Sequence, residues 1–140
     1  MQFLIETDIL NDYLTHRSSD GEPSLLRQAL AQATCYTTMI NAMELFASAT
    51  DQKSRDATMN LLMVVRVLGF SARYAEPFAA LGKQIEQEKK LVLSQRELMI
   101  LAMAETSKLT IVTRKYFDRY HAASIVSVVR DLAEVPVVQE

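Results

Sequence analysis

Leu4–Leu10 reads LIETDIL, and with Phe3 before it three apolar residues run directly into Glu6-Thr7-Asp8. An unbroken apolar run this short reads as a strand buried on both faces, the kind found in parallel sheets. From Asp8 to His16 the apolar positions Ile9, Leu10, Tyr13 and Leu14 fall at helical spacing. A strand passing straight into a helix is the first half of a βα unit. Asp8 suits a helix cap. The same duty is not expected of Glu6, so a carboxylate at the carboxyl end of a buried strand calls for another explanation.

The pattern repeats down the chain. RSSDGEP (17–23) reads as a loop, with Pro23 suited to the first turn of a helix running to about Ala33. Residues 35–40 read as a second strand, after which Asn41 is expected to cap a helix carrying Met43, Glu44, Leu45 and Phe46. Helices are expected over 51–65, 72–90 with Pro77 near its start, and 94–106; 67–71 reads as a third strand or a turn. LTIVT (109–113) reads as a buried strand, and 125–129 and 135–138 read as candidate strands. Alternating strands and helices predict an α/β sandwich around a mainly parallel sheet, in one domain spanning 1–140. In such a sheet ligands sit beyond the carboxyl ends of the strands, where Glu6 and Thr113 lie.

The 140 residues carry a net charge of −2, which argues against a tight, sequence-independent nucleic-acid binder. Cys35 is the single cysteine, so no disulfide framework or thiolate zinc site is available, and its apolar setting predicts a buried structural thiol. No apolar run approaches the length of a membrane span, and the opening residues lack the pattern of a signal peptide. A soluble, cytoplasmic protein is the expectation.

Four segments then stand out in order: LIETDIL; MINAMELF (39–46); SQRELMILAMA (94–104); and LTIVTRKYF (109–117). Their order and spacing resemble the PIN-domain nucleases, whose best-known members are the VapC-type toxins of toxin–antitoxin pairs. The first family motif, an apolar strand ending in Asp-Thr-Asn, corresponds to Glu6-Thr7-Asp8. The second, a helical Glu followed by Leu, corresponds to Glu44-Leu45. The third, an Asp opening a helix, corresponds to Glu97. The fourth, Thr-x-Asp or Thr-x-Asn, corresponds to Thr113-Arg114-Lys115, with Lys115 reversing the usual charge and Asp118 three residues on.

The resemblance implies a three-layer α/β/α sandwich and a metal-dependent ribonuclease, in the pattern of a toxin restrained by an antitoxin. The alternative is a catalytically impaired PIN-fold protein serving as an RNA- or protein-binding module. Glu6, Glu44, Glu97 and Thr113 are the implied catalytic set. Glu6, Glu44, Glu97, Asp8 and Asp118 are the candidate ligands for Mg²⁺ or Mn²⁺, hard ions that take oxygen donors. Such an ion would polarise a phosphodiester and acidify a bound water. Arg96, Arg114 and Lys115 are candidate contacts to an RNA backbone. Glu6 in place of Asp and Lys115 in place of an oxygen ligand predict weak divalent binding, with Mn²⁺ ahead of Mg²⁺.

Plainer roles stand beside these. Ser94-Gln95-Arg96-Glu97 fits a capping box, Asp8 fits a cap, and Glu44 fits a structural ion pair. A homodimer is expected too, with Tyr13, Leu14, Met59, Leu62, Met63 and the stretch 70–78 as candidate interface.

Overall fold

A computed structural model describes residues 1–16 and 21–134. The elements run β1 (Gln2–Ile5), α1 (Thr7–Thr15), α2 (Leu25–Gln32), β2 (Thr34–Thr38), α3 (Met39–Ser48), α4 (Gln52–Val64) and β3 (Arg66–Leu68). A 3₁₀ turn (Ala72–Tyr74) leads into α5 (Ala75–Lys89), then α6 (Gln95–Ser107), β4 (Thr110–Val112), α7 (Phe117–Ala123) and β5 (Val128–Val129), and a last 3₁₀ turn covers Leu132–Glu134. The five strands form one sheet in the order β3-β2-β1-β4-β5. Every adjacent pair is parallel. The expected α/β sandwich is what forms.

The alternation of a strand sorts its side chains to two faces. Phe3 and Ile5 join Val112 and Val129 on one face, covered by residues of α1 to α4. Leu4, Ile111 and Val128 join the other, covered by α5, α6 and α7. Helices on both faces make the three layers. The chain builds outward from β1 through β2 to β3, then crosses back to lay β4 on β1's other side. That reversal between β1 and β4 is the topological switch point, where α/β sheets open a crevice. Glu6 ends β1 there, its backbone N–H donating to the Val112 carbonyl at 3.1 Å. Thr113 follows β4.

Several local expectations are corrected. The second strand stops at Thr38, and Met39 and Ile40 already belong to α3. Thr38, not Asn41, is the N-cap of α3; Asn41 stands three residues on and closes a capping box with it. Ser24 caps α2, leaving Pro23 before the cap rather than in the first turn. The third candidate strand is real but only three residues long, and the 125–129 strand shrinks to two. The candidate strand at 135–138 lies outside the described residues, as do 17–20 of the loop. Cys35 is buried on β2, and burial pushes its thiol up to about 11. No helix among the described residues is long and apolar enough to cross a membrane.

Candidate functional site

Glu6 is fully buried, and its side chain is the N-cap of α1, Oε1 accepting from the Thr7 N–H at 3.1 Å. The capping role expected of Asp8 is therefore taken by Glu6. The longer side chain also reaches inward. Two residues beyond Leu4 on the strand, it falls on the α6–α7 face of the sheet. There Oε1 accepts from Asn41 Nδ2 at 2.8 Å and Arg96 Nη2 at 2.8 Å. Oε2 accepts from Arg96 Nη1 at 3.0 Å and from the Tyr120 hydroxyl at 2.6 Å.

Glu44, half-buried on α3, faces the same guanidinium. Arg96 donates from Nε to Glu44 Oε2 at 2.7 Å and from Nη2 to Oε1 at 2.8 Å, and Thr7 Oγ1 donates to Oε1 at 2.5 Å. One arginine thus forks onto two carboxylates brought from β1 and α3. Such forked, charge-assisted bonds are the strong class of hydrogen bond. Asn41 sets the geometry from below: its Oδ1 accepts from the Thr38 N–H at 3.1 Å and hydroxyl at 2.6 Å, turning Nδ2 toward Glu6 and Thr7. The Tyr116 ring lies against the guanidinium, 4.3 Å from its central carbon to the ring centroid. Lys115 Nζ lies 5.3 Å from the same ring.

The charges follow the geometry. The hydrogen bond from Arg96 holds the Glu44 carboxyl below its usual range against the opposing effect of burial, with Thr7 and the charges of Arg96 and Lys115 adding to it. For Arg96, burial opposes the charged form, but its bonds to Glu44 and Glu6 outweigh that and bind its proton more firmly still. Burial, then the charge of Glu6, keeps the Tyr120 hydroxyl protonated, so it donates. No buried side-chain polar atom among the described residues lacks a partner.

The other expected site residues sit elsewhere on this edge. Glu97 completes the capping box with Ser94, accepting the Ser94 N–H at 3.0 Å. Its carboxylate is forked by Arg119, from Nε at 2.5 Å and Nη2 at 3.0 Å. It makes no hydrogen bond to Glu6 or Glu44, although its charge reaches Tyr120 between them. Asp8 ties down the turn after β4, accepting from the Thr113 hydroxyl and the Arg114 and Lys115 N–H groups at 2.9, 2.9 and 3.1 Å. Thr113 Oγ1 in turn accepts from the Tyr116 N–H at 3.2 Å. Arg114 pairs with Asp12 at 2.9 Å, both exposed. Lys115 and Asp118 are exposed, Asp118 in the first turn of α7.

These contacts decide whether the residues fit Mg²⁺ or Mn²⁺. Both oxygens of Glu6 and of Glu44 already accept N–H or O–H donors, and a guanidinium lies between the two groups. Glu97 is committed to Arg119. Among the described residues no group of three or more His, Cys, Asp or Glu side chains is placed to hold a metal ion. As arranged, the residues do not fit a divalent ion.

The sequence marks Glu6 and Glu44 as candidate ligands and Arg96 as a candidate RNA contact; the structure brings the three together, with Arg96 bonded to both carboxylates. Asn41 stands out in the sequence only as a helix cap, and Tyr116, Tyr120 and Arg119 carry no mark. Tyr116, the N-cap of α7, and Tyr120 within it lie four residues apart, a spacing that places both toward one face.

No family model matches the chain, and no curated protein is significantly similar to it. Solved structures do match. VapBC-1 from nontypeable Haemophilus influenzae superposes with a TM-score of 0.70 at 15% identity, covering 96% of this chain and 100% of that one. VapBC2 from Rickettsia felis, solved with a DNA fragment from its promoter, gives 0.65 at 21%, covering 91% and 97%. FitAcB from Neisseria gonorrhoeae gives 0.62 at 23%, covering 91% and 96%. The chain has the PIN-like α/β/α fold that its motifs resemble, shared over nearly its whole length with chains of these VapBC and FitAcB structures.

Proposed function

We propose that this is a PIN-fold protein of the toxin–antitoxin kind that works by binding a protein partner, not by metal-dependent cleavage. The observation that carries this is the Arg96 fork, which satisfies the Glu6 and Glu44 carboxylates that a metal-using nuclease would keep for its ion. A protein partner is favoured over RNA by the net negative charge and by the exposed apolar side chains of Met39 and Met43 beside the site. The partner fitting this fold is an antitoxin-like protein, as in the VapBC and FitAcB complexes. The exposed Met59, Met63 and Val64 of α4 support the expected homodimer.

The test is RNA cleavage by the purified chain in Mg²⁺ or Mn²⁺, set beside a Glu44→Gln variant. Equal background from both is expected. Cleavage by the wild type that the variant loses overturns this reading and installs the second one, a Mg²⁺- or Mn²⁺-dependent endoribonuclease acting as the toxin. That second reading draws support from the meeting of Glu6 and Glu44 at the carboxyl edge of the sheet and from exposed Lys115 beside them. In it, Glu6, Glu44, Glu97 and Thr113 form the catalytic set and Arg96, Arg114 and Lys115 meet the RNA.

A further inference from the structure

We propose that Arg96 is the resident cation of the carboxylate site, standing permanently where a divalent ion would otherwise be required and keeping such ions out. The inference deepens the proposed function and rests on its reading of Glu6 and Glu44 as a pair without metal chemistry.

Two carboxylates crowded together repel unless a positive charge lies between them or one takes up a proton. Here Glu6 is wholly buried and Glu44 half-buried, and the guanidinium meets both through four hydrogen bonds of 2.7–3.0 Å. The balance of charge is instructive. Glu6 and Glu44 bring two negative charges; Arg96 brings one positive charge, and Lys115, whose field reaches Glu44, brings a second. The chain itself thus supplies the two positive charges that a divalent cation would carry. A planar fork also suits the work better than a sphere would, because it meets two carboxylates edge-on through fixed N–H directions.

The seat is built, not incidental. Thr7 binds Glu44, Asn41 binds Glu6 and Thr7, Tyr120 binds Glu6 from α7, and the Tyr116 ring lies against the guanidinium. The Arg96 side chain is only 21% exposed. An ion entering would have to break the fork and strip donors from both carboxylates at once. Lys115 would oppose its approach.

The experiment is titration with Mn²⁺, read by the electron-spin-resonance signal of the free ion and, in parallel, by thermal unfolding. The wild type should bind no Mn²⁺ at millimolar concentration and keep its Tm. Arg96→Ala should unfold about 10 °C lower, recover several degrees in Mn²⁺, and lose that recovery when Glu44→Gln is added. Arg96→Lys, which keeps the charge without the fork, should remain folded, with an intermediate Tm and no Mn²⁺ binding; it carries the test if Arg96→Ala does not fold. Wild-type Mn²⁺ binding that Glu44→Gln abolishes overturns the inference, as does an Arg96→Ala protein with unchanged Tm or no response to Mn²⁺. Mn²⁺ binding by a wild type that cleaves no RNA sinks the resident-cation inference alone. RNA cleavage lost in Glu44→Gln sinks the proposed function.

Discussion

Glu6 shows how much one methylene changes. A shorter Asp at this position would cap α1 and stop there. Glu caps with one oxygen and still reaches Arg96 and Tyr120. Replacing it with Gln keeps the shape but points an amide –NH₂ at groups that are themselves donors. Glu6→Gln is therefore expected to cost about 3 kcal/mol, read as a lower urea midpoint. Tyr120→Phe removes one buried bond without adding a clashing donor, so about 1–2 kcal/mol is expected in the same assay.

Glu97 gives a pH dependence. Burial works against its charge, but the bonds from Arg119 and then Ser94 prevail and hold its folded pKa below the ordinary value. A lowered folded pKa means the stabilisation is complete above the unfolded value, about 4.3, and drains as pH falls through the folded one. Arg119→Ala should flatten the acid limb of a plot of midpoint against pH, leaving the neutral limb merely lower.

At this scale the sequence was half legible. Carboxylates at Glu6 and Glu44 drew notice because apolar neighbours made them anomalous. Arg96 stands out too, but not as their partner, because nothing in a linear sequence distinguishes an arginine that faces phosphate from one folded inward. That depends on α6 lying over β1, which is a tertiary fact. Glu97 was ambiguous between cap and ligand for the same reason, and the structure shows the capping box formed.

Elements were read best where they are long. The helices now at α4, α5 and α6 emerge within a residue or two of their expected ends, apart from the 3₁₀ turn that opens the approach to α5. The strands of two or three residues at β3 and β5 are too short to show a period. The strand signal runs past Thr38 because Ile40 is β-branched and reads as strand. The local hydrogen bonds of Thr38 and Asn41 override that preference and start a helix.

Helix ends offer a further check. Lys108 closes α6 with φ at +57°, in the left-handed region that glycine occupies without steric cost. Lys108→Gly should therefore raise stability by about 0.5–1 kcal/mol in thermal or urea unfolding. Ser94→Ala, at the other end of the same helix, should lower it by about 1 kcal/mol.

For the molecule as a whole, the layered fold was visible from the alternation of strand and helix, and its order of strands was not. The proposed homodimer belongs to this scale. Tyr13, Leu14 and Leu62 pack against the core, and Phe70 and Tyr74 pack around Phe78, so these side chains are largely spoken for. What remains open on the candidate surface is α4, where Met59 and Met63 are 55% and 80% exposed. Light scattering at micromolar concentration should give twice the monomer mass, and Met63→Glu should return it to one. A wild type that scatters as a monomer removes α4 as an interface.

The position of β1 at the centre of the sheet governs how the protein is made. Its partner β4 is drawn from the far end of the chain, Leu4 meeting Ile111, and Glu6 meets Arg96 across a sequence separation of 90 residues. On a ribosome β1 emerges about a hundred residues before the strand that pairs with its other edge. Contacts of such long range form late and slow the search, so milliseconds to seconds is the expected refolding time. During that wait β1 presents an open apolar edge, the feature that makes incomplete chains aggregate. The two bonds that Arg96 gives Glu6 therefore form only once α6 has packed over the sheet, so the strand end is completed by the same late contacts that close its open edge.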